Sequence, residues 1–118
     1  MEPGVARVEV TEACGTLTFP AEVDLGNGEA IYEQAAALLD SGVPALIIDL
    51  SHCAFCDSSG LNVITRSQVR ATARGVPMWV VLPTRGIVRR ISEVAGLQRR
   101  VAIAPDVATA REALVPYR

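Results

Sequence analysis

Residues 45–61 read ALIIDLSHCAFCDSSGL, an apolar run followed by a short loop and a helix start. The run Ala45–Leu50 is short and almost continuously apolar, a pattern typical of a strand that is buried on both faces in a parallel sheet. Asp57 and Ser58 are both good N-cap residues, so a helix is expected to begin beside them. This segment therefore predicts a buried strand that leads through a loop into a helix.

Two other apolar runs, Met78–Leu82 and Val101–Ala104, have the same character as the first. Each of the three predicted strands is followed by a helical pattern, over Ser58–Arg74, Thr84–Ala95 and Asp106–Leu114. An alternation of strands and helices predicts a mainly parallel sheet with right-handed crossovers.

The spacing of apolar residues also predicts which face of each helix lies inward. The inward residues of the helix from Ser58 are expected to be Leu61, Ile64, Thr65 and Ala71, a thin stripe that Gln68 interrupts. Those of the next helix are expected to be Ile87, Ile91, Val94 and Ala95, with Gly96 as its stop. The last helix is expected to open on the acidic N-cap Asp106.

The N-terminal part of the chain predicts a hairpin and a further helix. Val5–Ala13 alternates apolar and polar residues, as a half-buried strand does, and Gly15–Pro20 predicts a second strand, paired antiparallel through Cys14-Gly15. A helix is expected after the break at Gly26-Asn27-Gly28 and ends near Ser41-Gly42. Its inward stripe is Ile31, Ala35, Leu38 and Leu39.

Together these elements predict an α/β fold with a mostly parallel sheet of roughly four to five strands, an antiparallel N-terminal strand and about four flanking helices. The 118 residues fit one domain, 1–118, and half of them are hydrophobic, which excludes a disordered chain. Because no apolar run approaches the roughly 18 residues of a membrane span and the Met1 start lacks a signal peptide, a cytoplasmic protein is expected.

Charge is distributed unevenly along the chain. The net charge of −2 argues against a nucleic-acid binder. Residues 1–60 hold ten acids and one arginine, whereas residues 61–118 hold three acids and ten arginines, so the halves carry −9 and +7. This pattern indicates either two solvated faces or an acidic face that meets a basic partner.

The three cysteines do not predict a metal site. Cys53 and Cys56 form a single C-x-x-C, and Cys14 and His52 are the other soft donors, whereas a structural zinc site needs four ligands in a suitable arrangement. Buried, idle thiols are the expectation. A redox role remains an alternative, in which oxidation of the C-x-x-C pair strains the loop and alters the neighbouring serine.

The loop before Ser58 lies where function concentrates in open α/β sheets, at the carboxyl end of a central strand. A helix N-terminus presents free N–H groups and about half a positive charge, so it stabilises an added phosphate. Asp57-Ser58-Ser59-Gly60 is therefore either an ordinary capped helix start or one that holds a phosphate on serine. The residues alone leave both interpretations open.

The stretch from Ile47 to Leu61, IIDLSHCAFCDSSGL, resembles the signature of the STAS family of bacterial anti-sigma factor antagonists. In that family a strand ending in Asp-Leu leads through a loop with an aromatic residue to Asp-Ser-Ser-Gly-Leu or Asp-Ser-Thr-Gly-Leu. Ala21-Glu22-Val23-Asp24 resembles the family's Gly-Glu-Leu-Asp before the first helix, and Val94-Ala95-Gly96-Leu97 resembles its Ser-Gly-Leu after the third. The resemblance covers nearly the whole chain.

The resemblance implies that Ser58 is phosphorylated by a partner that is both an anti-sigma factor and a serine kinase. The unphosphorylated form binds this partner and releases a sigma factor, phosphorylation breaks the complex, and a serine phosphatase resets it. We call Ser58 and its implied neighbours the switch surface; these neighbours are Asp24, Asp57, Ser59, Gly60, Leu61 and Asn62. Asn62 stands where the family usually has a small residue, so we expect it to affect which kinase is accepted.

Two other functions remain open. Domains that resemble this one also serve as scaffolds in stress-sensing complexes or as cytoplasmic subunits of lipid or anion transporters. A hydrolase would use Ser58 as nucleophile and His52 as base, but the sequence lacks a Gly-x-Ser-x-Gly elbow and an evident oxyanion hole. We therefore expect a binding protein and not an enzyme, without cofactor or metal, without direct contact to nucleic acid and without membrane insertion.

Overall fold

A computed structural model describes residues 4–114. The elements in chain order are β1 (Arg7–Val10), β2 (Gly15–Thr18), β3 (Glu22–Val23), α1 (Gly28–Asp40), β4 (Leu46–Asp49), β5 (Phe55–Cys56), α2 (Ser58–Ala73), β6 (Met78–Val81), α3 (Ile87–Val94), a 3-10 turn (Leu97–Arg99), β7 (Ala102–Ala104) and α4 (Val107–Ala113). Five strands form one sheet in the order β1-β2-β4-β6-β7, and β3 pairs with β5 separately. Only the β1–β2 pair of this sheet is antiparallel, which confirms the predicted α/β fold class.

Strand β4 is the centre of the sheet. It pairs in parallel with β2 and β6, and all of its residues are buried. Ile48 packs with Leu17 in the core that α1, α2 and α3 cover, whereas Ile47 packs with Val81 in a smaller core beneath α4. Because both faces of β4 are covered, the continuous apolar run predicted this strand correctly.

Helix α1 and the helix ends agree with the sequence. The expected stripe of α1 is buried, and the helix ends at the C-cap Ser41. Gly96 adopts a left-handed conformation (φ 72°) just after α3, and the Asp106 carboxylate accepts a 2.7 Å hydrogen bond from Thr109 N at the start of α4. Among the described residues, no helix is long and apolar enough to cross a membrane.

Strand β1 corrects the prediction of a half-buried strand over Val5–Ala13. The strand is shorter, and all four of its residues are exposed at the edge of the sheet. The hairpin also turns earlier than expected: Thr11 N donates to Cys14 O at 2.9 Å, and Gly15 is already a strand residue. At the other end of β1, the Gln34 amide bonds both the N–H and the C=O of Ala6, at 2.8 and 2.9 Å.

The buried face of α2 differs from the predicted stripe. Its buried residues are Gly60, Val63, Ile64, Ser67 and Ala71, whereas Leu61, Thr65 and Gln68 are only half-buried. The prediction followed the larger apolar side chains, but the helix is oriented by a close approach of its first turn to the loop that precedes it. Ile64 and Ala71 are buried as predicted, whereas Gly60, Val63 and Ser67 take inward positions that the apolar pattern did not assign to them.

The face of α3 was also predicted wrongly. Val88 and Ser92 are buried, whereas Ile87 and Val94 are 51% and 84% exposed. The Ser92 hydroxyl donates to Val88 O at 2.8 Å, so a polar side chain can lie inward at little cost. Apolar spacing alone gave the wrong face because this eight-residue helix contacts the core along a narrow edge.

Ion pairs join helices α1 and α2, and each pair links an acid from the acidic half of the sequence to an arginine from the basic half. Asp40 pairs with Arg70 and Arg74, each at 2.7 Å, and Glu29 pairs with Arg66 at 2.8 Å. The neighbouring Arg70 guanidinium, hydrogen-bonded to the Asp40 carboxylate, holds the pKa of Asp40 below its usual value. Part of the charge asymmetry is therefore neutralised within the molecule, although each exposed pair contributes only about 0.2–1 kcal/mol.

Candidate functional site

The predicted switch surface is centred on the start of α2, which the chain reaches from β4 through β5. Ser58 is the first residue of α2 and is exposed. Asp57 is the N-cap, and its carboxylate accepts a 2.7 Å hydrogen bond from Ser59 N. This bond satisfies one of the free N–H groups of the first turn and leaves the Ser58 side chain directed away from the core.

A ribbon of two short parallel strands, β3 and β5, brings the second aspartate to the same place. Val23 pairs with Cys56, and Asp57 N donates to Val23 O at 3.2 Å. Asp24 and Asp57 therefore follow directly after paired residues, at the same end of the ribbon. The sequence did not predict this ribbon, because each of its strands has only two residues.

Asp24 lies in a tight, internally hydrogen-bonded loop. Its carboxylate accepts from Gly26 N at 2.8 Å, and its own N–H donates to the Asn27 side chain at 2.9 Å. Asn27 is the N-cap of α1, so the loop that carries Asp24 leads straight into that helix. A Cβ on Gly28 would lie 3.2 Å from Ser59 Cβ, which shows how closely the first turns of α1 and α2 approach.

Gly60 has a steric role beneath Ser58. A Cβ at this position would lie 2.8 Å from Cys56 Cβ, 3.3 Å from its Sγ and 3.4 Å from Val23. The first turn of α2 therefore rests directly on the ribbon that carries both aspartates. The sequence alone did not identify this contact between Gly60 and Cys56.

Two exposed apolar side chains flank Ser58, and the sequence analysis missed both. Leu25 is 87% exposed on the α1 side, and Phe55 is 40% exposed on β5. Leu61, by contrast, is half-buried against the core and so contributes mainly to packing. For Leu25 and Phe55, the signal of a role at this site was their position in the sequence close to Asp24 and Asp57.

Asn62 is exposed on the outer side of α2 and lines a small cavity. The cavity has a volume of about 110 Å³, and its other lining residues are Leu25, Gly28, Glu29, Ser59, Val63 and Arg66. Asn62 thus borders both Ser59 and the exposed Leu25. This position agrees with the expectation that Asn62 faces a partner, which remains a prediction.

The surface around Ser58 is acidic. Its carboxylates are those of Glu22, Asp24, Glu29 and Asp57. Arg66 borders the same cavity, but its guanidinium pairs with Glu29 at 2.8 Å and stacks 3.8 Å from the centre of the Tyr32 ring. An approaching partner therefore meets mainly negative charge with two apolar side chains beside it.

The alternative chemistries find little support at this site. Within residues 4–114, no hydrogen bond joins His52 to Ser58, and no cluster of three or more metal-ligating side chains is present. Cys14 belongs to the smaller core beneath α4, on the opposite face of the sheet from Cys53 and Cys56. The three cysteines therefore cannot share one metal ion.

Replacing the Asp57 cap provides a test of the local structure. Asp57→Ala is expected to lower the free energy of unfolding by about 1 kcal/mol, because Ser59 N loses its acceptor. Asp57→Asn keeps a capping oxygen and is expected to stay within a few tenths of a kcal/mol of the parent. Urea unfolding of both variants checks this, and an equal loss in both would show that charge, not capping, is what Asp57 supplies.

The chain was compared with known families and structures. The family model of the STAS domain matches residues 6–110. An anti-sigma factor antagonist from Mycobacterium paratuberculosis is similar in structure, with 25% identity and a TM-score of 0.82 over 92% of each chain. Phosphorylated SpoIIAA from Bacillus is 18% identical, with a TM-score of 0.67 over 92% of this chain and 98% of that one.

A serine-to-glutamate variant of RsbS from Moorella thermoacetica is also similar, at 17% identity and a TM-score of 0.76 over 92% of this chain and 93% of that one. No curated protein sequence matches the chain. The structural neighbours share the fold, and the family model spans all of the switch surface from Asp24 to Asn62. The chain belongs to the STAS domain family.

Proposed function

We propose that this protein is an anti-sigma factor antagonist that works by partner switching. The unphosphorylated form binds an anti-sigma factor with serine kinase activity and so releases a sigma factor. Phosphorylation of Ser58 by that kinase switches binding off, and a serine phosphatase restores it. The observation that carries this proposal is the exposed Ser58 at the start of α2, with Asp24 and Asp57 beside it on one ribbon.

The geometry supports a separate role for each part of the switch surface. Next to the switch surface, the exposed Leu25 and Phe55 offer apolar contact area, of the kind that the centre of a protein interface contains. Ser59 and Gly60 hold the first turn close to α1 and to the ribbon. Leu61 anchors the helix in the core, and Asn62 borders the contact area where it affects the choice of kinase.

The direction of the switch follows from charge. A phosphate adds about −1.5 to −2 charge at a surface that already carries Asp24 and Asp57. Like charges brought together at a desolvated interface cost several kcal/mol. A penalty of ~4 kcal/mol weakens binding roughly a thousandfold, at about 1.4 kcal/mol per decade. In the free protein, the N–H groups of α2 accommodate the same phosphate.

Similar proteins support this function as a proposal. The structural neighbours include SpoIIAA, described as an anti-sigma factor antagonist, in unphosphorylated and phosphorylated forms. They also include an RsbS variant with glutamate in place of a serine. We propose, with them in view, a cytoplasmic binding protein in which residues 1–118 act as one domain. It acts without an enzymatic reaction, without direct contact to nucleic acid and without membrane insertion.

The runner-up function is a STAS scaffold in a stress-sensing complex or a lipid or anion transporter. A stand-alone transporter subunit does not need a kinase partner, and the exposed Ser58 directly after the Asp57 cap therefore favours the switch over that role. Affinity purification from the native cell distinguishes the two. Recovery of a histidine-kinase-like ATPase supports partner switching, whereas recovery of a membrane ATP-binding cassette complex supports a transporter subunit.

Phosphosite mapping tests the proposed function directly. Protein isolated from its native cell before and after stress is expected to carry one phosphate, on Ser58, in a fraction that changes with stress. Ser59 is half-buried next to Gly28, so it serves as the internal comparison. Phosphate on Ser59 alone, or no phosphate under any condition, contradicts the assignment.

A further inference from the structure

Cys53 and Cys56 lie together beneath the switch surface. They are 4% and 0% exposed, in the main core, and both are free thiols. The Cys53 thiol donates to Phe55 O at 3.3 Å, and a turn closed by Cys53 N and Leu50 O folds the chain back towards β5. The neighbouring Cys56 thiol lowers the pKa of Cys53, and the Cys53 thiol in turn raises that of Cys56.

We propose that Cys53 and Cys56 are a redox-active dithiol that closes to a disulfide and thereby slows phosphorylation of Ser58. The regulatory half of this inference rests on the proposed function, whereas the disulfide does not. The two thiols are three residues apart, with Cys53 in the loop before β5 and Cys56 in β5 itself, a spacing that other dithiol proteins also use. Cys14 is separated from them by the sheet and so is not an alternative partner.

The oxidant that the proposal requires is a hydroperoxide such as hydrogen peroxide. The Cys53 thiolate attacks one peroxide oxygen, the O–O bond breaks, and the departing hydroxide takes up a proton to form water. Cys53 is then a sulfenic acid. The Cys56 sulfur attacks the Cys53 sulfur, the S–O bond breaks, and a second water leaves as the S–S bond forms. Two thiols and one peroxide thus give one disulfide and two waters.

The order of the two sulfurs follows from their surroundings. Cys53, whose thiol ionises more readily, is the nucleophile, since the thiolate is the reactive form. The residues around it in the loop, Ser51, His52, Ala54 and Phe55, are exposed. Cys56 lies deeper, against Gly60, and acts as the resolving thiol.

A disulfide at this position affects the switch surface through two contacts. Formation of the S–S bond removes the thiol proton that Cys53 donates to Phe55 O. It also draws the Cys56 sulfur, now 3.3 Å from the position of a Cβ on Gly60, towards Cys53. Both changes act on residues that carry the exposed Phe55 ring and the Asp57 cap. The reduced protein is therefore the form that fits the kinase.

Mass spectrometry tests the disulfide without any partner. A Cys14→Ser protein treated with hydrogen peroxide is expected to lose two hydrogens and to show Cys53 and Cys56 protected from alkylation until a thiol reductant is added. Cys56→Ser in the same background is the matched control, and it should stop at a sulfenic acid on Cys53. Unmodified thiols, or a sulfinic acid on Cys53 in place of the disulfide, overturn the proposal.

Phosphorylation kinetics test the regulation. The oxidised protein is expected to be phosphorylated on Ser58 at least about tenfold more slowly than the reduced protein, a change of about 1.4 kcal/mol. Reductant should restore the rate, which separates the disulfide from methionine oxidation. Equal rates overturn the regulatory half. If the reduced protein is not phosphorylated either, the proposed function and the regulation both fail, while the mass result still decides the dithiol.

Discussion

Ser58→Asp is expected to weaken binding to the anti-sigma kinase roughly thirtyfold, a loss of ~2 kcal/mol, while Ser58→Ala binds as tightly as the unphosphorylated parent. Aspartate adds about half the charge of a phosphate. The added charge falls beside Asp24 and Asp57, and the guanidinium of Arg66, which borders the cavity next to Ser59, is already paired with Glu29. The affinity of the phosphorylated protein for the kinase is expected to fall roughly a thousandfold, a loss of ~4 kcal/mol.

Titration calorimetry with the purified kinase measures these differences. Ala108→Asp is the matched control, since it adds the same charge at an exposed position on α4, on the other face of the sheet. This control should bind as the parent does. Because the penalty is electrostatic, the deficit of Ser58→Asp should shrink as salt is raised. Equal affinity of the alanine and aspartate variants would show that Ser58 does not lie at the centre of the interface.

Gly60→Ala is expected to lower the free energy of unfolding by about 2 kcal/mol, because the new methyl group overpacks the site. In an open helix position the same change adds about 1 kcal/mol of stability. Here the Cβ would lie 2.8 Å from Cys56 Cβ. That atom is held by the backbone pairing of Val23 with Cys56, so it cannot rotate away as the end of a flexible side chain would.

Urea unfolding checks this prediction, with Asn62→Ala as the control in the same turn. Asn62 is exposed, so its replacement by alanine should raise stability by a few tenths of a kcal/mol. A stabilising effect of Gly60→Ala would show that the first turn of α2 does not rest on the ribbon. It would also remove the steric reason for glycine at this position.

The elements that were predicted correctly are those whose signal is local. Strand β4 and the stripe of α1 carry continuous or periodic apolar residues that nothing else in the fold overrides. The Asp106 cap is a contact within one helical turn. By contrast, the β3–β5 ribbon depends on the pairing of two short segments that are distant in sequence. Local patterns do not contain this information.

The candidate site follows the same division. Ser58 and Asp57 were placed correctly at a helix start because capping is a local property. The approach of Asp24 came only from the resemblance, and the structure supplies its physical cause in the ribbon. Leu25 and Phe55 were missed because an exposed apolar residue looks in sequence like one in the core. The wrong face of α3 has the same origin, with Ile87 and Val94 taken as buried.

The Gln34 amide at Ala6 governs how the sheet ends. Since Thr11 N bonds Cys14 O, the odd residues of β1 bond towards β2, and the even ones point their N–H and C=O groups outward. The Gln34 side chain hydrogen-bonds the outward N–H and C=O groups of Ala6, as a neighbouring strand would. Within β1, the outward N–H and C=O groups of Val8 and Val10 remain available for pairing, and the charged Arg7 and Glu9 lie beside them. So short and charged an edge is a poor template for another chain, and the sheet resists growth past β1.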